Sequence, residues 1–368
     1  MSKALVISTN SGLFCPQGNF YIDPWRAVDY ALITHAHSDH ARSGSKAYLT
    51  SKSGQHVLRA RLDPGAVVES VPYGKQITIN DVTVSFHPAG HVLGSSQIRI
   101  EHKGEIWVIS GDYKTQPDPT CQPFESIKCQ TFITESTFGL PIYRWPSAQE
   151  IEQEINTWWQ KNRDEDRASV IFAYSFGKAQ RIMSIVDKSI GPIFVHGAVH
   201  KLNEQYTASG VTLPEAKYVG ELEKKADFKG ALIVAPPAAF ESAWTKRFGD
   251  YSSAYASGWM RVRGNRRRQS IDRGFALSDH ADWNGLLQVI NATGADEVIV
   301  THGFSQPLIR YLKETGKKAR GFKTEYKGEE SELAVANEKL AEARDQDIEA
   351  DSISLETGEA EIINESEK

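Results

Sequence analysis

The chain has 368 residues and a formal charge of −5. That length allows a large core and two lobes, and the composition is that of a soluble globular protein. No apolar run is long enough to span a bilayer, and the start Met1-Ser2-Lys3-Ala4-Leu5 lacks the long apolar stretch of a signal peptide. Cys15, Cys121 and Cys129 are scattered and odd in number. They have no zinc-finger spacing and suit a reducing cytosol, so a cytoplasmic location is expected. The overall charge hides an asymmetry. Fourteen acidic and three basic residues between Glu329 and Lys368 leave the rest of the chain at +6. That last segment, rich in Glu, Ser and Ala, reads as a disordered or loosely helical acidic tail.

The first third alternates strand-like runs with turns. Tyr30–Thr34, Val82–Phe86, Ile106–Ser110 and Thr131–Thr134 read as strands. Ser147 and Glu150 then form a capping-box pattern ahead of Ile151, Ile155, Trp158 and Trp159, which predicts a helix. Strand and helix alternate from there. Val170–Tyr174 is a strand, Lys178–Val186 a helix, Ile193–Val195 a strand, the stretch around Leu202 a helix, and Leu232–Ala235 a strand stopped by Pro236-Pro237. This is an α/β pattern. Two further runs follow, Phe275-Ala276-Leu277 and Val298–Thr301.

The stretch His35-Ala36-His37-Ser38-Asp39-His40 holds four potential metal ligands in six residues. Three imidazoles and a carboxylate this close together point to a divalent metal site, with two metals as the economical reading. His35, His37 and Asp39 are two apart and share one side of an extended segment. A turn would give one metal His35 and His37, and a second metal Asp39 and His40. Further candidates stand at strand ends: His91, Asp112, Glu135 and His302, with His280 in Leu277-Ser278-Asp279-His280-Ala281-Asp282-Trp283. Strand ends can converge on one crevice, and glycines at 90, 111 and 303 allow close backbone approach. Asp112 can bridge two metals. His56, His87, His102, His196 and His200 read as structural or surface residues, although Phe194-Val195-His196-Gly197 imitates the His302 context.

These motifs resemble the metallo-β-lactamase fold, with its His-x-His-x-Asp-His signature and later His, Asp and His ligands. More narrowly the chain is similar to the β-CASP nucleases over residues 4–325, with Glu135, His280 and His302 matching three further motifs. Narrower still, Gly12-Leu13-Phe14-Cys15-Pro16, Tyr21-Ile22-Asp23-Pro24-Trp25 and Ala276–Trp283 resemble the bacterial ligase-associated DNA exonucleases. The resemblance implies an αββα sandwich with an inserted α/β domain. The lactamase-like domain would run over 1–145 and 266–328, the insert over 146–265 and the acidic tail over 329–368. It implies one zinc on His35, His37 and His91, another on Asp39, His40 and His302, and Asp112 between them, with manganese as an alternative metal. Asp23 and Asp29 resemble carboxylates that orient ligand imidazoles. His280 becomes the candidate general acid, held by Glu135. The expected activity is DNA exonuclease action in repair, beside an ATP-dependent DNA ligase and a helicase. Within the wider family a histidine at the His302 position is more typical of the RNA-processing branch, so RNA is the alternative substrate. A small-molecule metallohydrolase is a third reading.

For substrate, Arg261, Arg263, Arg266, Arg267 and Arg268 form a basic cluster suited to a phosphate backbone. Ser175-Phe176-Gly177-Lys178, between a strand and a helix, reads as a second phosphate pocket through Ser175, Lys178 and the helix N-terminus.

Overall fold

The computed structural model describes residues 4–223, 226–262 and 271–326. The first sheet runs in sequence order through β1 (Ile7–Ser8), β2 (Leu13–Cys15), β3 (Phe20–Ile22), β4 (Tyr30–Leu32), β5 (Ala47–Ser51) and β6 (Val68–Val71), with α1 (Gln55–Arg61) between the last two. A second sheet begins with β7 (Ile77–Ile79), β8 (Val82–Pro88), β9 (Ser96–His102), β10 (Glu105–Ile109) and β11 (Thr131–Ser136). The chain then leaves to build a third, wholly parallel sheet. Its strands are β12 (Ala168–Phe172), β13 (Ile193–Val195), β14 (Lys217–Tyr218), β15 (Leu232–Ala235), β16 (Tyr251–Ala256) and β17 (Arg273–Phe275), in the order β14-β13-β15-β12-β16-β17. Helices α2 (Ala148–Asp164), α3 (Lys178–Ile185) and α4 (Gly197–Ala208) belong to this segment. After α5 (Trp283–Thr293) the chain re-enters the second sheet as β18 (Glu297–Gly303), beside β11. Helix α6 (Ser305–Glu314) and β19 (Lys318–Gly321) complete that sheet.

The first two sheets pack face to face. Leu13, Ile22, Leu32 and Leu49 meet Val84, Ile98, Trp107, Ile133 and Ile299 in one buried cluster. Helix α1 covers the outer face of the first sheet through Val57 and Leu58. Helices α5 and α6 cover the outer face of the second through Leu286, Val289, Ile290, Leu308 and Leu312. Each sheet thus buries both faces, which gives the αββα sandwich. The third sheet is also covered on both faces. Trp159, Ile182, Met183 and Val199 pack from the helices on one side, and Phe240, Phe248, Trp259 and Tyr143 lie on the other.

The expected elements appear within a residue or two of their bounds. Ser147 forms the capping box with Glu150 that starts α2. One boundary moves. The insert was expected to end at 265, but β17 pairs with β16 through Ala254–Arg273, Tyr255–Gly274 and Ala256–Phe275. The third sheet therefore claims the chain through Phe275. A three-residue strand with one charged and one glycine position carries no alternation to reveal its sheet.

Candidate metal centre

The segment after β4 is extended and then turns. His40 and Ala41 donate backbone hydrogen bonds to the carbonyl of His37. That turn swings His40 to the same side as His35, with ring centroids 4.2 Å apart. The loops after β8 and β10 deliver His91 and Asp112, and the end of β18 delivers His302. Donor atoms of His35, His37, His91 and Asp112 lie within 4.8 Å of one another, and so do those of His40, Asp112 and His302. Asp112 belongs to both groups. Asp39 stands beside the second, its carboxylate 3.8 Å from His40 Nε2.

Each imidazole presents one nitrogen to the centre and spends the other behind it. His35 Nδ1 lies 3.0 Å from Thr34 Oγ1 and His302 Nδ1 3.0 Å from Thr301 Oγ1. His40 Nδ1 donates to Asp23 at 2.8 Å. His91 Nδ1 donates to the Asp279 carbonyl at 2.6 Å and His37 Nε2 to the Phe176 carbonyl at 3.3 Å. The inward atoms are therefore Nε2 of His35, His40, His91 and His302, and Nδ1 of His37. Asp112 reaches His35 Nε2 at 3.5 Å, His40 Nε2 at 3.4 Å and His302 Nε2 at 3.1 Å. Yet His35 Nε2, His40 Nε2, His302 Nε2 and Asp112 Oδ1 are buried with no aligned hydrogen-bond partner among the described residues. Unpaired buried polar atoms are costly unless something else engages them. A divalent cation fits such a donor set of imidazoles and carboxylates.

The electrostatics agree. Burial, with His40 nearby, holds His35 well below the ordinary histidine range, and burial with His280 and His37 does the same for His91. Those rings stay neutral, the form that ligates metal. At His40 burial is outweighed by Asp112, Asp39 and Asp23, which hold it well above that range. At Asp112 burial is outweighed by His40 and His302, which keep the carboxyl well below the carboxylate range. The carboxylates thus demand positive charge at this point, which a metal supplies as well as a proton.

His280 lies beside this centre, its ring centroid 4.6 Å from that of His91. Its Nδ1 contacts Glu135 at 2.9 and 3.1 Å. Glu135 is itself fixed by the Tyr113 and Thr137 amides and the Thr137 hydroxyl. Trp145 donates to the His280 carbonyl at 2.8 Å.

Two expectations change, and a third lies largely outside the described residues. Asp23 orients His40, but Asp29 is a surface residue paired with Lys46 at 2.7 Å and touches no imidazole of the centre. The phosphate pocket at Ser175 and Lys178 is not formed. Lys178 is fully buried 3.6 Å from Asp279, and the Gly177 amide donates to Gln180 Oε1. Of the arginine cluster, Arg261 is exposed, while Arg263, Arg266, Arg267 and Arg268 lie outside the described residues. Arg261 borders a groove along α2 that also holds Arg167, Arg273, Glu154, Glu165 and Asp272, so the charge there is mixed. His196 caps α4 by accepting from the Ala198 amide, a structural role.

One neighbour was not foreseen. Tyr326 stacks on His40 with centroids 4.5 Å apart and planes 8° from parallel. It meets His302 edge-on and donates to the Asp23 carbonyl at 3.0 Å. A lone aromatic past the last strand carries no sequence signal of this kind.

No protein-family model matches the chain. It is 31% identical over 317 residues to a "Probable DNA ligase" of Opitutus terrae, a match covering 85% of this chain and 30% of that protein. It is 21% identical over 344 residues to "Endoribonuclease YSH1" of Eremothecium gossypii, covering 78% of this chain and 44% of that one. The chain therefore spans less than half the length of these relatives. A solved structure, a protein of unknown function from Enterococcus faecalis V583, superposes with a TM-score of 0.55 at 15% identity. The superposition covers 79% of this chain and 78% of that one, and it bears on the fold alone. The sandwich, its inserted parallel sheet and the ordered His and Asp motifs are the features in which the chain resembles the β-CASP nucleases of the metallo-β-lactamase fold.

Proposed function

We propose that the chain is a metal-dependent phosphodiesterase acting as a DNA exonuclease in repair. The observation that carries the hydrolytic reading is the set of buried, unpartnered ring nitrogens gathered around Asp112. His35, His37 and His91 would hold one zinc, and Asp39, His40 and His302 the other, with Asp112 between them; manganese is the alternative ion. Bound there, such ions supply a hydroxide near neutral pH and offset charge on the phosphate. The chain's own groups do the rest. Glu135 engages Nδ1 of His280, so Nε2 is the nitrogen that would pass a proton to the leaving sugar oxygen. Burial keeps His35 and His91 in the ligating form.

DNA as the polymer is supported by the relative named a DNA ligase, of which the matched stretch is 30%. The same match supports work beside a DNA ligase, and the ATP dependence of that ligase rests on the resemblance. A helicase partner rests on the ligase-associated resemblance alone, and a cytoplasmic setting on the scattered cysteines, odd in number. No helix among the described residues is long and apolar enough to cross a membrane. RNA is the second reading, favoured by the endoribonuclease relative and by His302.

End-labelled single-stranded DNA, duplex DNA and RNA, each incubated with zinc, with manganese and with chelator, decide between them. Stepwise loss of nucleotides from DNA, abolished by chelator and by Asp39→Ala, is expected. Equal or better cleavage of RNA overturns the DNA assignment, and full hydrolysis by Asp39→Ala overturns the metal assignment.

A further inference from the structure

Behind the three-histidine group lies a second cluster that the proposed chemistry does not use. Lys114, Lys178 and Arg181 surround Asp118 and Asp279, and all five side chains are at most 3% exposed. Lys114 Nζ donates to Asp118 at 2.6 Å and stands 3.7 Å from Asp279. Lys178 and Arg181 each approach Asp279 at 3.6 Å. Both come from α3 of the insert, whereas Lys114 follows β10 of the sandwich. Buried charges persist only where partners hold them, so this cluster pins the two bodies together.

Its effect reaches the centre through two backbone carbonyls. The carbonyl of Asp279 accepts from His91 Nδ1 at 2.6 Å, and that of neighbouring Ser278 accepts from Arg181 at 2.7 Å. Lys114 also donates to the His91 carbonyl at 3.3 Å. Just before α3, Phe176 takes the His37 ring through its own carbonyl. A Cβ on Gly177, whose φ is +95°, would fall 2.3 Å from Val92, so the insert lies tight against the His91 loop. The insert thus braces His37 directly, and His91 at one remove, through Asp279, whose carboxylate Lys178 and Arg181 of α3 hold. His40 and His302 are braced by Asp23, Thr301 and Tyr326, all outside it.

We infer that Asp279 is a positioning residue through which the inserted domain sets the affinity of the three-histidine metal site alone. The two halves of the centre then respond differently to how α3 is docked. The inference rests on the proposed metal centre.

The test uses full-length chain in two single-site backgrounds. Asp39→Ala leaves the three-histidine half, and His37→Ala leaves the other. Arg181→Met is added to each, and zinc affinity is read by competition with a chromophoric chelator, alongside thermal unfolding of the metal-free protein. Partners of metal ligands typically change affinity about 10–100-fold. A loss of that size is expected in the Asp39→Ala background, with change below about threefold in the other. Arg181→Lys should recover part of the loss. Asp279→Asn, which keeps the carbonyl and the outline, is read in the same pair in case Arg181→Met does not fold, and should show the same bias. Equal losses in both backgrounds, or none in the first, overturn the inference. Zinc binding by neither background overturns the metal centre itself, and the inference with it.

Discussion

Replacing Asp23 by asparagine removes one charge from a site that is 1% exposed and changes little in shape. Asp23 Oδ1 accepts from the Thr34 amide at 2.7 Å. Its Oδ2 accepts from the Thr34 hydroxyl and from His40 Nδ1. An asparagine offers one acceptor oxygen and one amine in the same outline. Whichever way the amide points, either His40 or the Thr34 backbone faces a donor instead of an acceptor. Loss of such an orienting partner typically costs about 10–100-fold in metal affinity, which is about 1.4–2.8 kcal/mol. The buried donor left unpaired costs about 1–3 kcal/mol of stability. Chelator competition reads the first figure and thermal unfolding of the metal-free protein the second. Asp29→Asn is the matched control, since its contact with Lys46 is fully exposed and should move neither measurement. Zinc binding by Asp23→Asn within twofold of the parent would refute the orienting role.

Other outcomes are expected. Gly303→Ala places a Cβ 2.3 Å from the Ser136 carbonyl oxygen at φ +81°, so left-handed strain and overpacking together should cost about 2–5 kcal/mol in denaturant unfolding. A variant as stable as the parent would contradict the close approach of β11 and β18 at their C-terminal ends. Burial pushes the Cys121 and Cys129 thiols up to about 12. At pH 8 only about one part in ten thousand is thiolate, so native protein should resist a thiol reagent that labels the unfolded chain rapidly. Because an unfolded thiol ionises near 9, stability should fall as pH rises above that value, by about 1.4 kcal/mol per pH unit for each thiol. Arg261→Glu should weaken DNA binding and lower the slope of log affinity against log salt by about one or more; an unchanged slope places Arg261 off the DNA path.

The parts legible in the sequence share one property, a local pattern that the environment preserves. His35, His37 and Asp39 alternate on an extended segment, and Asp112, Glu135 and His302 follow apolar runs that can only be strands. The capping box at Ser147 is read the same way. The parts that were not legible depend on neighbours distant in sequence. Lys178 reads as a phosphate-facing cation at a helix start, but α3 is buried from Lys178 through Met183, so no face of it is polar surface. The partner of Lys178, Asp279, comes from the far side of the insert, about a hundred residues on. Asp23 and Asp29 are alike as turn aspartates, and only the approach of His40 separates them.

Tyr326 also limits how far the chain can be shortened. The last strand among the described residues, β19, stops at Gly321, and a fragment ending there would keep every proposed ligand. It would lose the ring that backs His40 and the hydroxyl that holds the Asp23 carbonyl. Shortening the acidic tail for expression or crystallisation therefore has a chemical stop at Tyr326. A cut on the wrong side of that residue would yield a folded sandwich in which the proposed second metal site is loosened, easily mistaken for an inactive protein.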